Sequence, residues 1–556
     1  MLLRLVALRA DSYAHLSWSA ALLTDEGFYI HNARNLVLFG HATTDRFNNA
    51  LLMPTLNILQ IAVFRLFGVS DVSARMISVF FGLVSIALIV DGARRVLGSR
   101  PALFAGLLLG LDHVYLLYNR MALMDTPAAC MLAASWWSLC RGLAVAPSTV
   151  PTRRRFWMAL GGCCFALAFT SRGLVLFAAP AVFGIPLLLD RRRKVAWRHG
   201  DAIPTAVGAA PILLGYLLFW YLPNRAEMQR IDHYYMVHQL LPRSLAHLWH
   251  NLVHAIVGDH RGMSPYLFRH STIPFALCLA ALFSWPALRE RLRPAGRTAL
   301  ASAAAAMLCA WLMLAFISYS PDRYYILFYP AMMVIAGTAL AEARHLTAWV
   351  LAHRQQRTLF GAFCTFHLFE AFLHHGNRIT DAVLYSAVAG VAALCWFAPE
   401  VGARLEAGAR IVPPAMILAI WFASNGLWLG DWLTHITWHR LAADNWLARH
   451  LPANTVLYGD VAPGLCLNNG FKVVTVQPGL CNSRRLFHLY PNDPAAVLIL
   501  DGSWKELWWR RHQPQVVSDS NRIMFFPKIV RYPVGLYKGP NYPGASTPFG
   551  AVGHTG

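Results

Sequence analysis

The sequence predicts a mainly α-helical, polytopic membrane bundle of about 12–13 transmembrane helices, the first of them truncated or weak, with a small α/β domain outside the membrane at the C-terminal end. Three observations predict it. Of the 556 residues, 57% are hydrophobic and 13% charged, whereas a soluble chain carries roughly a quarter charged residues. Apolar runs long enough to cross a bilayer recur between about residues 76 and 430. The loops between them alternate between arginine-rich and arginine-poor, the pattern that orients membrane proteins.

The chain opens awkwardly. Residues 1–23 read MLLRLVALRADSYAHLSWSAALL, broken by Arg4, Arg9, Asp11 and His15. That is neither a signal peptide nor a good spanning helix, so the expected first helix is either incomplete or short and poorly apolar. Residues 51–68 are apolar but contain Pro54 and Arg65, which suits a re-entrant or interfacial helix. Spanning segments follow at about 76–93, 101–119, 124–143, 156–170, 173–189, 202–222, 271–288, 298–318, 324–341, 358–375, 380–398 and 411–430. The 358–375 run is the weakest, because it holds His367 and Glu370.

One set of loops carries Arg94, Arg95 and Arg100, then Arg153, Arg154 and Arg155, then Arg191, Arg192, Arg193, Lys194 and Arg198. It continues with Arg289, Arg291, Arg293 and Arg297, then Arg344, Arg354 and Arg357, then Arg404 and Arg410. The positive-inside rule places this set in the cytoplasm. The interleaved short loops hold Arg120, Arg172, Arg323 and Arg378, one apiece, and so face outside. Asp25-Glu26 then also lie outside, as does everything after about residue 430. A bacterial inner membrane with a periplasmic C-terminal domain is the expected setting. The net charge of +21 sits in these topological clusters, which argues against a nucleic-acid partner.

Residues 1–435 thus form the membrane domain, with a long outer loop at 223–270. Residues 441–540 form a separate outer unit, with strands expected at Val456–Tyr458, Lys472–Gln477, Ala495–Leu500, Gln515–Ser518 and Arg522–Pro527. Helices are expected at Ala442–His450 and Ser503–His512, and strands alternating with helices predict a small α/β domain. The Gly- and Pro-rich tail, 541–556, is expected to be disordered. Cys466 and Cys481 lie in this outer unit, where a disulfide and two free thiols are both open readings. The 23 histidines show no HExxH or comparable pattern. His233, His247, His250 and His254 read, with Trp249, as an amphipathic interfacial face, leaving room for a divalent metal at one or two histidines but requiring no cofactor.

Three groups of residues can carry chemistry. Asp25-Glu26 sit beside the amphipathic stretch Tyr29, Ala33, Leu36, Val37 and the run 51–68, where a carboxylate can deprotonate a hydroxyl. Arg120 and Asp125 bracket the next outer loop; they form either a helix-end ion pair or a phosphate contact with its orienting partner. Arg172, after Thr170-Ser171, and Arg323-Tyr324, after Pro321-Asp322, lie in outer loops that topology does not require to be positive. Arginine in such places snorkels or grips a phosphate in bidentate fashion.

The order Asp25-Glu26, Gly27-Phe28-Tyr29, Ala33-Arg34-Asn35-Leu36, Leu66-Phe67-Gly68-Val69-Ser70, Ser73-Ala74-Arg75-Met76 and Arg120 to Asp125 resembles the membrane glycosyltransferases of the C superfamily. The nearest group is that of the protein O-mannosyltransferases and the bacterial aminoarabinose transferase. The resemblance is clearest over about residues 20–190 and extends to Arg323-Tyr324-Tyr325 with Pro330. It implies an inverting transfer from a polyprenyl-phosphate-linked sugar to the hydroxyl of a glycan, glycolipid or protein acceptor at the outer face. In it Asp25 is the base, Glu26 shapes the pocket or binds the acceptor, and Arg120 and Arg323 stabilise the leaving phosphate. Two departures stand out. Relatives carry a Lys-Pro-Pro type element where this chain reads Leu52-Met53-Pro54-Thr55, leaving Arg46 as a candidate replacement, and a Thr-Lys element where it reads Thr170-Ser171-Arg172. The alternative is a multi-pass transporter or flippase of envelope lipids, which internal repeats would favour; none is seen in the sequence. The sugar and the acceptor are not encoded in these motifs.

Overall fold

The computed structural model describes residues 2–145, 151–192, 200–237, 241–257, 262–352, 412–483 and 486–545. The segments expected at 358–375 and 380–398 lie outside these, as do Arg193, Lys194, Arg198, Arg354, Arg357, Arg378, Arg404, Arg410 and most of the tail.

The membrane part is a polytopic helical bundle. Among the described residues four helices are long and apolar enough to cross a bilayer: Asp71–Val96, Gly173–Arg192, Ala202–Tyr221 and Pro294–Phe316. The pair Met263–His270 and Thr272–Phe283, bent by 118°, reaches that length and apolarity only when taken together, as a broken span or a re-entrant loop. The expected segments at 124–143, 156–170 and 411–430 are the continuous helices Asp125–Ala144, Pro151–Ser171 and Val412–Thr434, whereas two others are interrupted. The one at 101–119 splits into Ser99–Leu111 and His113–Tyr118, because the Asp112 side chain accepts from Tyr115 N at 3.1 Å and starts a new helix. Asn425 fills the break by accepting from His113 N at 2.7 Å. The one at 324–341 opens as a 3-10 turn, Asp322–Leu327, before the helix Tyr329–Ala341 begins with Pro330 in its first turn, where a missing N–H costs nothing.

Helices approach closely where glycine permits it. A Cβ on Gly162 would lie 1.8 Å from the Thr205 carbonyl oxygen, and one on Gly208 equally close to that of Ala159. Small residues at such crossings are how helices pack inside a bilayer, where apolar burial drives little. This contact seats the helix Pro151–Ser171, whose C-terminal end delivers Arg172.

The expected interfacial stretch is the helix Pro54–Phe67, starting at its proline. Among the described residues no spanning helix precedes Asp25: Leu2–Leu5 form a single turn, and the chain then reaches the helix Ala21–Phe39 through turns. That helix is buried for most of its length.

The C-terminal unit holds a five-stranded sheet in the order β2-β1-β3-β5-β4, with β1 Val456–Tyr458, β2 Lys472–Val474, β3 Ala495–Leu500, β4 Arg522–Ile529 and β5 Tyr532–Lys538. β1 pairs in parallel with β2 and β3, while β5 runs antiparallel to β3 and β4. All six residues of β3 are buried, since Leu498 faces the helix His439–His450 and Val497 and Ile499 face Trp509. Two expectations fail here. Gln515–Ser518 is a turn, tied by Asn521 Nδ2 to the Gln515 carbonyl at 2.6 Å. β5 was not anticipated, because Pro533 and Gly535 read as loop residues. Cys466 and Cys481 are buried free thiols and do not pair.

Nor does this unit hang free. Gly27 of the helix Ala21–Phe39 abuts the turn Ala462–Leu465 so closely that a Cβ would lie 2.3 Å from Gly464 N. Arg34 donates to the carbonyls of Asn469 and Phe471 at 2.8 and 2.9 Å.

Candidate active site

Asp25 and Glu26 are neighbours on one helix, and successive helical side chains diverge by about 100°. The two carboxylates therefore meet different surroundings.

Asp25 points into a cluster of charged and aromatic groups. Its Oδ2 lies 2.9 Å from Arg323 Nη2 and accepts from the Tyr29 hydroxyl at 3.3 Å, one helical turn along the same face. Arg172 Nη1 reaches that tyrosine oxygen at 3.5 Å, and its Nε lies 3.2 Å from Asp125 Oδ1. Asp125 opens the helix Asp125–Ala144, where the helix dipole favours a carboxylate. The Tyr324 ring lies between the two guanidinium groups, 4.4 Å from Arg172 Cζ and 5.0 Å from Arg323 Cζ. Burial works against the Arg323 charge, but Asp25 beside it holds the guanidinium well above its ordinary value.

The cluster is not internally satisfied. Arg323 Nε and Nη1, Arg172 Nη2 and both Asp125 oxygens are buried without a hydrogen bond. An unpaired buried polar group costs about 1–3 kcal/mol, and more when charged. Open guanidinium N–H groups in a dry pocket are the arrangement that receives an anion.

Glu26 turns the other way. Arg75 grips it with Nε at 2.8 Å and Nη2 at 2.5 Å, and Ala122 N donates to it at 2.7 Å. Burial alone would raise this carboxyl; Arg75 holds it below its usual value. Arg75 also donates to the carbonyls of Leu8 and Ala10, both at 2.6 Å. Arg440 pairs with Asp71 at 2.8 Å just behind. Glu26 is thus built into the framework that joins the N-terminal segment, the bundle and the C-terminal unit.

Of the sequence candidates, the structure brings together Asp25, Asp125, Arg172, Arg323 and Tyr324. Arg120 is elsewhere. Its guanidinium donates to the carbonyls of Leu3, Val6 and Ala7 and stacks 4.4 Å above the Trp432 ring. In place of the expected phosphate contact, Arg120 anchors the N-terminal segment. Thr55, in the departed Lys-Pro-Pro region, meets Thr170 with hydroxyls 2.7 Å apart. Tyr29 was missed as a site residue, although its i+4 spacing from Asp25 was a readable signal. Among the described residues no group of three or more His, Cys, Asp or Glu side chains is placed to hold a metal ion.

Further along the same helices lies a small apolar cavity of about 60 Å³. Its lining includes Leu132, Ala133, Phe177, Ala178, Leu327 and Phe328. These continue the elements that begin with Asp125, Arg172 and Arg323, so the charged cluster and the greasy cavity share their walls.

A family model described as dolichyl-phosphate-mannose-protein mannosyltransferase matches residues 52–220. The fold is similar to that of ArnT from Cupriavidus metallidurans bound to undecaprenyl phosphate, with 16% identity, 96% of both chains covered and a TM-score of 0.57. The apo form of that protein gives 18% identity, coverage of 96% and 97%, and a TM-score of 0.56. An Aquifex aeolicus (strain VF5) protein described as uncharacterized is 24% identical over 232 residues, which span 39% of this chain and 43% of that relative. The chain therefore matches less than half the length of that relative. Sequence and fold together resemble the membrane glycosyltransferases of the C superfamily.

Proposed function

We propose that this chain transfers a sugar from a polyprenyl-phosphate carrier to an acceptor hydroxyl at the outer, periplasmic face of a bacterial inner membrane. The observation that carries the proposal is the contact of Asp25 with Arg323, in a buried cluster that keeps unpartnered guanidinium donors on elements that also wall a small apolar cavity. A lipid with a phosphate head needs this pairing of cations and apolar walls. Its phosphate takes the free N–H groups of Arg172 and Arg323, and its isoprenoid chain runs along the apolar walls that the small cavity marks.

The Asp25–Arg323 contact explains how the base is prepared. Arg323 neutralises Asp25 until a donor phosphate supplies a second anion. The phosphate then competes for Arg323 and leaves Asp25 free to accept a proton. Asp25 removes the acceptor O–H proton as the oxygen attacks the anomeric carbon from the face opposite the phosphate. The carbon–oxygen bond to phosphate breaks, its electron pair stays on the phosphate, and the sugar inverts. Arg172 and Arg323 meet the charge that develops there, so the proposal assigns no role to a metal. Family likeness supports this reading, since ArnT is described with undecaprenyl phosphate bound.

The test is mass spectrometry of envelope glycans and lipid-linked sugars in cells whose only copy carries Asp25→Asn. Accumulated donor with missing product supports the transferase; an unchanged profile with normal protein levels overturns it.

A further inference from the structure

The β4–β5 hairpin of the C-terminal unit ends in a strained residue. Ile529 pairs with Tyr532, so Val530 and Arg531 form a two-residue turn. Val530 has a φ of 60°, in the left-handed region that a β-branched side chain avoids and that such turns give to glycine or asparagine. A residue held this way costs about 1–3 kcal/mol and persists only where its surroundings fix it. Those surroundings belong to the membrane bundle. Val530 is 2% exposed and packs in the same apolar cluster as Tyr13, Leu16 and Tyr266, whereas Phe526, Ile529 and Val534 beside it in the hairpin pack in the sheet's own core.

The turn meets a strip of non-helical chain, residues 14–19, whose backbone groups must find partners outside a helix. Arg531 Nη1 donates to the Ala14 carbonyl at 3.0 Å, and its Nη2 donates to the Tyr532 hydroxyl at 2.7 Å. That hydroxyl reaches the Trp18 carbonyl at 3.5 Å, and the Tyr266 hydroxyl donates to the Leu16 carbonyl at 2.9 Å. The same strip holds the segment that carries Arg323. Trp18 N donates to Asp322 Oδ2 at 3.2 Å. Ser19 Oγ and the Tyr319 hydroxyl lie 3.3 Å apart, and the Trp18 and Tyr319 rings meet edge-on at 6.0 Å. Asp322 is fully buried and opens the 3-10 turn that presents Arg323 and Tyr324. A continuous line of contacts thus runs from the hairpin tip, through the strip, to the guanidinium beside Asp25.

Arg323 faces Asp25 and, in the transfer described above, the donor phosphate as well. Misplacing such a group by about 1 Å can cost about 10²-fold in rate. Resting on the transferase reading, we propose that the hairpin tip Val530–Arg531 is a positioning element for Arg323, so that the C-terminal unit completes the phosphate site by clamping residues 14–19 against the Asp322 turn. Neither residue touches the reacting atoms. Val530 supplies an apolar plug, and Arg531 ties the strip through the Ala14 carbonyl. The strained valine does here what glycine could not, since glycine has no side chain to bury in the bundle.

The experiment measures transfer by the full-length protein in native membranes. The donor probe is the lipid-linked sugar fraction of a strain lacking this gene, and the acceptor probe is its envelope extract. Val530→Gly suits the φ of the turn but withdraws the plug. Its turnover at saturating probes should fall about 10–100-fold at parental protein levels, while the half-saturating amount of acceptor extract stays within about twofold. Arg531→Ala should lose turnover in the same way, and Arg531→Lys, which keeps a donor for the Ala14 carbonyl, should recover most of it. In an Arg323→Ala background, Val530→Gly and Arg531→Ala should each lower the residual rate by no more than about twofold, because both act through that guanidinium. Full turnover in Val530→Gly and Arg531→Ala overturns the proposal, and so does a loss that multiplies with that of Arg323→Ala. Asp25→Asn in the same assay separates the two ideas: if it retains full transfer, the transferase reading fails, and the positioning role with it, whatever the hairpin variants do.

Discussion

Asp25 Oδ2 and Arg323 Nη2 lie 2.9 Å apart, although 298 positions separate the two residues in the chain. The pair is buried, and Arg323 keeps Nε and Nη1 unbonded. One guanidinium therefore serves as counter-ion to a carboxylate while holding donors for a second anion.

Asp25→Asn should lower transfer by about 10²–10⁴-fold while binding of the polyprenyl-phosphate donor persists. Removing the carboxylate leaves Arg323 free, so donor affinity should hold or rise. A radiolabelled donor retained by the variant under turnover conditions checks both halves.

Arg323→Ala should lower the transfer rate by about 10²–10³-fold, the usual cost of losing one group that stabilises developing charge. Arg172→Ala carries a further penalty, because it leaves Asp125 buried without its cation. Breaking a buried pair costs about 3–5 kcal/mol. Thermal unfolding in detergent should thus fall more for Arg172→Ala than for Arg172→Ala combined with Asp125→Asn.

Glu26→Gln should act on stability before chemistry, since it dismantles the grip of Arg75. The folded carboxyl is depressed below its ordinary value of 4.5. Its stabilisation is therefore present above the unfolded value and lost as the pH falls through the folded one. Melting temperature followed downward from about pH 6 should drop less steeply in Glu26→Gln than in the parent.

Asp322 shows the opposite sign. Burial raises its carboxyl from 3.8 to about 7, so the folded state holds a proton that the unfolded state releases. Stability should fall as the pH rises between about 4 and 7. Asp322→Asn should flatten that part of the curve in a pH series of melting temperatures.

Gly27→Ala should loosen the C-terminal unit. The added carbon would lie 2.3 Å from Gly464 N, and overpacking of this kind costs about 1–3 kcal/mol. Faster proteolytic release of the C-terminal unit is the expected readout; parental resistance would show that the contact yields without cost.

Much of this architecture was readable in the chain. Strands Val456–Tyr458 and Ala495–Leu500 match their apolar runs residue for residue, because short runs of Val, Leu and Ile bounded by polar turns have few other folds. Asp25, Asp125, Arg172, Arg323 and Tyr324 stood out because ionisable groups in short outer loops need a reason to be there. The strand β5 escaped notice, since Pro533 and Gly535 mask a segment whose place between β3 and β4 supplies its partners.

By itself the sequence determined the membrane class and the short roll of candidates, because hydropathy and loop charge are local properties that bilayer physics reads directly. Only the tertiary structure decided which candidates meet. It separated Asp25 from Glu26 by a rotation about one helix, sent Arg120 to the N-terminal carbonyls, and pressed the C-terminal unit against the helix that carries both acids. A guanidinium's partner depends on which carbonyls and carboxylates packing leaves unsatisfied, and that is settled by contacts across hundreds of residues.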